Sequence, residues 1–183
     1  MPGAVFLADD RVELRTRERE DAAFRRDHVN DPGMRTALGT NRPRNLAYEE
    51  AAIETTAGEE DAIRLIICED GEPVGHVVLW IRDWVVGTGE IGIWVIPAAQ
   101  GRGVGRAATS LLVTHGFDAL GLHRITAEDV LVTNDASNAL FESLGFTQEA
   151  CRRDAAYVGG EYVDTVDYAV LAVEWTGGCG PGD

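Results

Sequence analysis

Apolar and polar residues follow two rhythms along this chain, and the places where the rhythm changes mark its elements. A period of two runs through Arg11, Val12, Glu13, Leu14 and Arg15 and predicts a short strand. Denser apolar runs at 63–69, 74–81 and 89–96 predict three more, with Asp70-Gly71 turning the first into the second. Helical rhythm follows Thr16, which is placed to cap a helix with Glu18, Glu20 and Asp21 at its start. A turn at 30–33, a short helical piece at 34–38 and a second helix at 46–57 precede the β region. Over 105–120 the residues Ala108, Leu111, Leu112, His115 and Ala119 recur at helical spacing, and Gly121 ends the run. A strand at 124–132, a helix from Asn134 to about Leu144 and strands at about 146–152 and 164–174 complete the pattern. Mixed order of this kind predicts an α/β (α+β) chain rather than a doubly wound one. One domain over 1–175 and a disordered glycine-rich tail at 176–183 are expected.

Within that pattern, Ile93 to Arg106 reads as strand, tight turn and helix start. Gly101, Gly103 and Gly105 leave the turn bare of side chains. The following helix aims unpaired N–H groups and its positive dipole end at the turn, which suits a phosphate. Gln100, Arg102 and Arg106 add donors around it. A nucleotide-triphosphate loop needs Lys-Ser/Thr after the last glycine, where Arg106-Ala107 stand. A dinucleotide fingerprint starting at Gly101 needs glycine at 106.

Composition narrows the ligand. The 183 residues carry a formal net charge of −15, which argues against nucleic acid and favours a cationic small molecule or peptide. No apolar run is long enough for a membrane span, and the run at Val5, Phe6 and Leu7 lacks the basic region of a secretory signal, so a cytoplasmic protein is expected. Cys68, Cys151 and Cys179 show no Cys-x-x-Cys spacing, and His28, His76, His115 and His123 no His-x-x-x-His spacing, so no metal is expected.

The segment Gln100-Gly101-Arg102-Gly103-Val104-Gly105 matches the pattern Gln/Arg-x-x-Gly-x-Gly/Ala and resembles the acetyl-CoA pyrophosphate loop of the GNAT acetyltransferases. Asn134 to Ser137, followed by Leu144-Gly145-Phe146, resembles the Asn-x-x-Ser and Leu-Gly-Phe segment of the Rim-type branch, named for ribosomal-protein N-terminal acetyltransferases. The likeness spans about residues 11–175. It implies the GNAT fold, a mostly antiparallel twisted sheet whose splayed central strands hold acetyl-CoA between flanking helices. It also implies acetyl transfer to a primary amine on a protein N-terminus, a metabolite or an antibiotic, with a homodimer as a possible assembly.

Acyl transfer needs a held pyrophosphate, an oriented thioester, a neutral amine and a stabilised thiolate. Backbone groups near Val95 and Ile96 are candidate donors to the thioester oxygen. Glu90 is the candidate base for an amine of pKa about 10, against the alternative of a solvated strand-end carboxylate. Glu128 and Asp129 are weaker candidates for that role. The resemblance places a tyrosine acid where Phe141 stands, so Ser137 takes its place as candidate proton donor, or else only bonds local backbone. Asn134 caps the helix, contacts the cofactor arm, or does both. Among Trp80, Trp84 and Trp94, Trp84 is the favoured acceptor-pocket residue, with Tyr157 in a loop bordered by Asp154, Glu161 and Asp164. The missing tyrosine also raises an alternative, a CoA-binding sensor or interaction module without turnover.

Overall fold

The computed structural model describes residues 3–40 and 42–177. One eight-stranded sheet runs through it in the order β1-β2-β3-β4-β5-β6-β8-β7. The strands are β1 (Val5–Ala8), β2 (Glu13–Thr16), β3 (Ala62–Glu69), β4 (Glu72–Asp83), β5 (Thr88–Val95), β6 (Arg124–Leu131), β7 (Thr147–Val158) and β8 (Glu161–Leu171). The helices are α1 (Ala22–Val29), α2 (Pro32–Ala37), α3 (Leu46–Thr55), α4 (Val104–Asp118) and α5 (Asp135–Ser143). Every neighbouring pair is antiparallel except β5 and β6, which α4 joins as a crossover. That parallel pair matches only Thr88, Gly89 and Glu90 with Arg124, Ile125 and Thr126. Beyond Glu90 no register between β5 and β6 continues, and the centre of the sheet is splayed.

Alternation along the strands builds two different interiors. One face carries Leu14, Ile67, Val77, Leu79, Ile91 and Ile125 and packs against Val104, Ala108, Leu112 and Val113 of α4. Gly116 brings α4 close, since a Cβ there would stand 2.9 Å from Ile125 Cδ1 and 3.0 Å from Leu79 Cδ2. The other face carries His76 and Trp94, paired across β4 and β5, and lies under α1, where Phe24 stacks on Trp94 with centroids 5.6 Å apart. This second interior contains charge. Arg25 Nε donates to Glu49 Oε2 at 2.8 Å, and the Glu49 side chain has no exposure. The pair fastens α1 to α3. Burial and the neighbouring Arg25 and Arg64 lower the Arg17 pKa to about 10.

Several local expectations change. Val5 to Ala8 form an edge strand that the short apolar run did not announce, because only pairing with β2 defines it. Thr16 closes β2 instead of capping a helix, and its hydroxyl donates to Glu18 at 2.8 Å. Residues 153–163 are not a loop, because β7 and β8 extend as a hairpin to Val158 and Glu161. Of the tail expected at 176–183, Thr176 and Gly177 are among the described residues. Gly177 O accepts from Ser110 Oγ at 2.9 Å, and Trp175 Nε1 donates to Thr114 Oγ1 at 2.9 Å. The rest of that tail, 178–183, lies outside the described residues.

Two stability predictions follow from the second interior. Glu49→Gln leaves the buried Arg25 guanidinium without its counter-charge, and urea unfolding should show a loss of about 3–5 kcal/mol. Burial, reinforced by Arg25, Arg17 and Arg64, holds His76 well below the usual 6.5. The unfolded chain therefore takes up a proton as pH falls through about 6.5 while the folded chain does not, so stability is full above that pH and declines below it. His115, lowered by burial, adds in the same direction. Urea unfolding across pH should show His76→Gln with a shallower acid decline than the wild type.

Candidate active site

The site begins where β5 loses its partner. Ile96 N–H donates to Val74 O at 2.9 Å, so the alternation of an antiparallel ladder turns Val95 N–H and C=O away from β4 and toward the splay. Val95 O accepts from Gln100 Nε2 at 2.8 Å. Val95 N–H faces the opening between β5 and β6 as a backbone donor. Ile96 does not match the expectation of a second donor there, because its N–H is spent on Val74.

The chain then makes a 3-10 turn at Pro97–Ala99 and passes Gly101 at φ 71° to Gly103 at φ 85°, which stands at the N-cap of α4. The first backbone bond of α4 runs from Ala107 N–H to Gly103 O at 3.0 Å. The N–H groups of Val104 and Gly105 lie ahead of it and have no carbonyl within the helix to meet. The Val104 side chain is wholly buried in the core, so only its backbone is available to a ligand. The arginines take other partners. Arg102 Nη2 pairs with Glu69 Oε2 at 2.6 Å, behind the loop. Arg106 Nη1 reaches Ser143 O at 2.7 Å and Ser143 Oγ at 2.8 Å, bridging α4 to the end of α5. The loop is thus a cradle of backbone amides, with Arg106 at its margin.

A cleft of about 590 Å³ opens from this cradle. Its walls are β5, the loop, α5 and α2. From α5 come Asn134, Ser137, Leu140 and Ser143, recurring at helical spacing on one face. Asn134 Oδ1 accepts from Ser137 N–H at 3.2 Å, which shows the capping role, and Asn134 also lines the cleft. Ser137 borders the cleft. Phe141, on the opposite side of α5, is buried against Phe146 and Tyr168, with centroids 5.3 and 5.9 Å away.

Other candidates are placed elsewhere. Glu90 sits at the last position of β5 that pairs with β6, about 17 Å along the strand from Val95. Its carboxylate is ion-paired with Arg82, with Arg82 Nε at 2.8 Å from Glu90 Oε2, and it does not line the cleft. Trp84 is held at the β4–β5 turn by Asp61, its Nε1 2.9 Å from Asp61 Oδ1, at the end of the hairpin away from the loop. It is Trp94 that borders the cleft. Tyr157 lies in β7 and packs on Tyr162 across the hairpin at 5.0 Å, with neither among the cleft residues. Glu128, Asp129 and Asp167 converge on Arg152, three carboxylates around one guanidinium. Asp164 Oδ1 accepts from Asp154 N–H at 2.9 Å.

The α2 wall escaped sequence reading. Met34, Ala37 and Leu38 reach the cleft from a helix of six residues whose start is set by Asp31, which caps Gly33 and Met34 at 2.9 and 3.1 Å, and by Pro32 at its first position. The Asp-Pro-Gly string marks a turn. Nothing in it says that the helix after the turn folds over β5.

Comparison with known proteins agrees with this geometry. A family model described as an acetyltransferase (GNAT) domain matches residues 11–147, and the chain belongs to that family. Over 108 residues it is 38% identical to the putative ribosomal N-acetyltransferase YdaF of Bacillus subtilis (strain 168), covering 59% of this chain and 58% of YdaF. The chain thus matches little more than half the length of that relative. It is 28% identical over 114 residues to spermidine N(1)-acetyltransferase of Vibrio cholerae, covering 61% of this chain and 65% of the relative. A crystal structure of a probable acetyltransferase superposes with a TM-score of 0.83 at 29% identity, over 93% of this chain and 99% of that one. The Vibrio cholerae spermidine N-acetyltransferase in complex with CoA and spermine has the same fold, with a TM-score of 0.84 at 22% identity, over 91% and 98% of the two chains.

GNAT acetyltransferases use acetyl-CoA, and the residues present suit it: backbone amides for a pyrophosphate, an apolar trough for the arm and a donor at the splay. Among the described residues no group of three or more His, Cys, Asp or Glu is placed to hold a metal, and no helix is long and apolar enough to cross a membrane.

The glycines of the loop should respond differently to alanine. Gly103→Ala forces a side chain into a left-handed conformation and should cost about 1–2 kcal/mol in urea unfolding. A Cβ on Gly105 meets Val95, Ile93 and Leu140 at ordinary distances of 3.8–3.9 Å. Gly105→Ala should therefore keep the wild-type melting temperature and, by narrowing the cleft between β5 and α5, weaken CoA binding in calorimetry.

Proposed function

We propose that this protein transfers an acetyl group from acetyl-CoA directly to the primary amine of a cationic acceptor. The observation that carries the reading is the placement of Val95 N–H at the splay beside an amide-lined cradle. Acetyl-CoA supplies the activated acyl group when bound. Val104 and Gly105 N–H groups receive the pyrophosphate, and Val95 N–H polarises the thioester oxygen. Ser137 Oγ, on the cleft wall, would pass its proton to the departing sulfur and regain one from the newly acylated nitrogen, ending the cycle as a hydroxyl. An acceptor of pKa about 10 must lose a proton before attack. Glu90 takes it through water, since its carboxylate is set back from the cleft beside Arg82.

A polyamine is the acceptor class we favour. The net charge of −15 supports it, as does the spermidine acetyltransferase among the relatives. A peptide N-terminus is the second reading, favoured by the 38% identity to a putative ribosomal N-acetyltransferase. The same reading places the protein in the cytoplasm. It includes a homodimer, supported by the exposed outer strand β7, and sedimentation would test that assembly.

Thiol release from acetyl-CoA should be followed with polyamines and short peptides as acceptors, with rates rising with pH toward the amine pKa. Ser137→Ala should lower kcat by about 10²-fold with little change in KM for the amine. Glu90→Gln should lower the rate most at neutral pH. Tight CoA binding with no turnover on any acceptor would instead support a CoA-binding module without catalysis.

A further inference from the structure

The loop at 100–106 is not held by its own residues alone. Arg11 stands in the turn between β1 and β2, a turn fixed by Asp9 Oδ1, which accepts from the N–H groups of Arg11 and Val12 at 2.8 Å each. From there Arg11 Nη1 donates to Arg102 O at 2.6 Å. Its guanidinium atoms lie 3.6–3.8 Å from where a Cβ on Gly103 would stand. A trans peptide holds its C=O and N–H antiparallel. With Arg102 O turned to Arg11, the Gly103 N–H of the same peptide is turned the opposite way. Gly103 borders the cleft and Arg11 does not, so that way is toward the cleft.

Left to itself, the loop would not enforce this orientation. Glycine accepts either sign of φ at little cost, so the Arg102–Gly103 peptide is free to flip. The flipped peptide would present a carbonyl oxygen to an incoming phosphate. A charge-assisted bond from Arg11 selects the productive state.

We propose that Arg11 is a positioning residue for the cofactor pyrophosphate, setting the Arg102–Gly103 peptide so that Gly103 N–H joins those of Val104 and Gly105. This rests on the acetyl-CoA reading of the cleft. Calorimetry with CoA, dephospho-CoA and pantetheine, on wild type, Arg11→Met and Arg11→Lys, separates the two. A wild type that does not bind CoA sinks the functional reading itself.

With CoA bound by the wild type, Arg11→Met should raise Kd for CoA and dephospho-CoA alike by about tenfold. The effect should persist at about 0.5 M salt, where long-range fields are screened. Pantetheine, which lacks the pyrophosphate, should bind both forms equally. Arg11→Lys keeps the charge and one donor and should fall between them. An equal loss for pantetheine would make Arg11 merely structural. A loss confined to CoA would mean direct contact with the 3′-phosphate, and a loss that vanishes in salt a field effect. Each of these, like an unchanged Kd, overturns the proposal.

Discussion

Everything distinctive about this molecule depends on two neighbouring strands that pair for three residues and then part. A parallel pair cannot be closed by a hairpin, so a helix must carry the chain from one strand to the other. That helix, α4, starts at the end of β5 and necessarily aims its N-terminus at the gap. The splay therefore exposes strand donors that a continuous sheet would consume, and it brings the positive end of a helix to them. The cleft is a property of an interrupted ladder.

Charge is handled locally in a strongly acidic chain. The two arginines of the loop itself, Arg102 and Arg106, are occupied by Glu69 and Ser143, so the cradle relies on fixed backbone dipoles. Such dipoles need no counter-ion and do not lose side-chain entropy on binding. Elsewhere, carboxylates are bound to guanidinium groups in pairs or clusters: Glu49 with Arg25, Glu90 with Arg82, and Glu128, Asp129 and Asp167 with Arg152. The sites of pairing differ in depth, and only the Arg25–Glu49 pair is sealed from water on both sides.

Much of the architecture was legible because it is periodic. The strands around Asp70-Gly71, the amphipathic α4 and the glycine turn all announce themselves through spacing, and the Asn134 cap through its residue type. What stayed hidden depends on contacts between distant segments. Trp84 and Trp94 look alike in sequence, yet one is pinned to Asp61 at a hairpin end and the other borders the cleft. Arg102 reads as a phosphate ligand until Glu69, 33 residues earlier, is seen beside it. The distal part of the β7–β8 hairpin, 153–163, reads as a loop because its residues are mostly exposed, and burial leaves no alternating signature there.

One side-chain amide has a mechanical consequence. Asn138 Nδ2 donates to Leu131 O and Asn134 O at 3.0 and 2.9 Å, while its Oδ1 accepts from Tyr168 OH at 3.0 Å. The end of β6, the turn after it, α5 and β8 are thereby riveted into one block. On the far side, α4 is packed into the sheet through Gly116. The two jaws of the cleft are each stiff, and the short ladder at Thr88–Glu90 is where they meet. A ligand that widens the cleft therefore loads three residue pairs at its base rather than a full-length ladder.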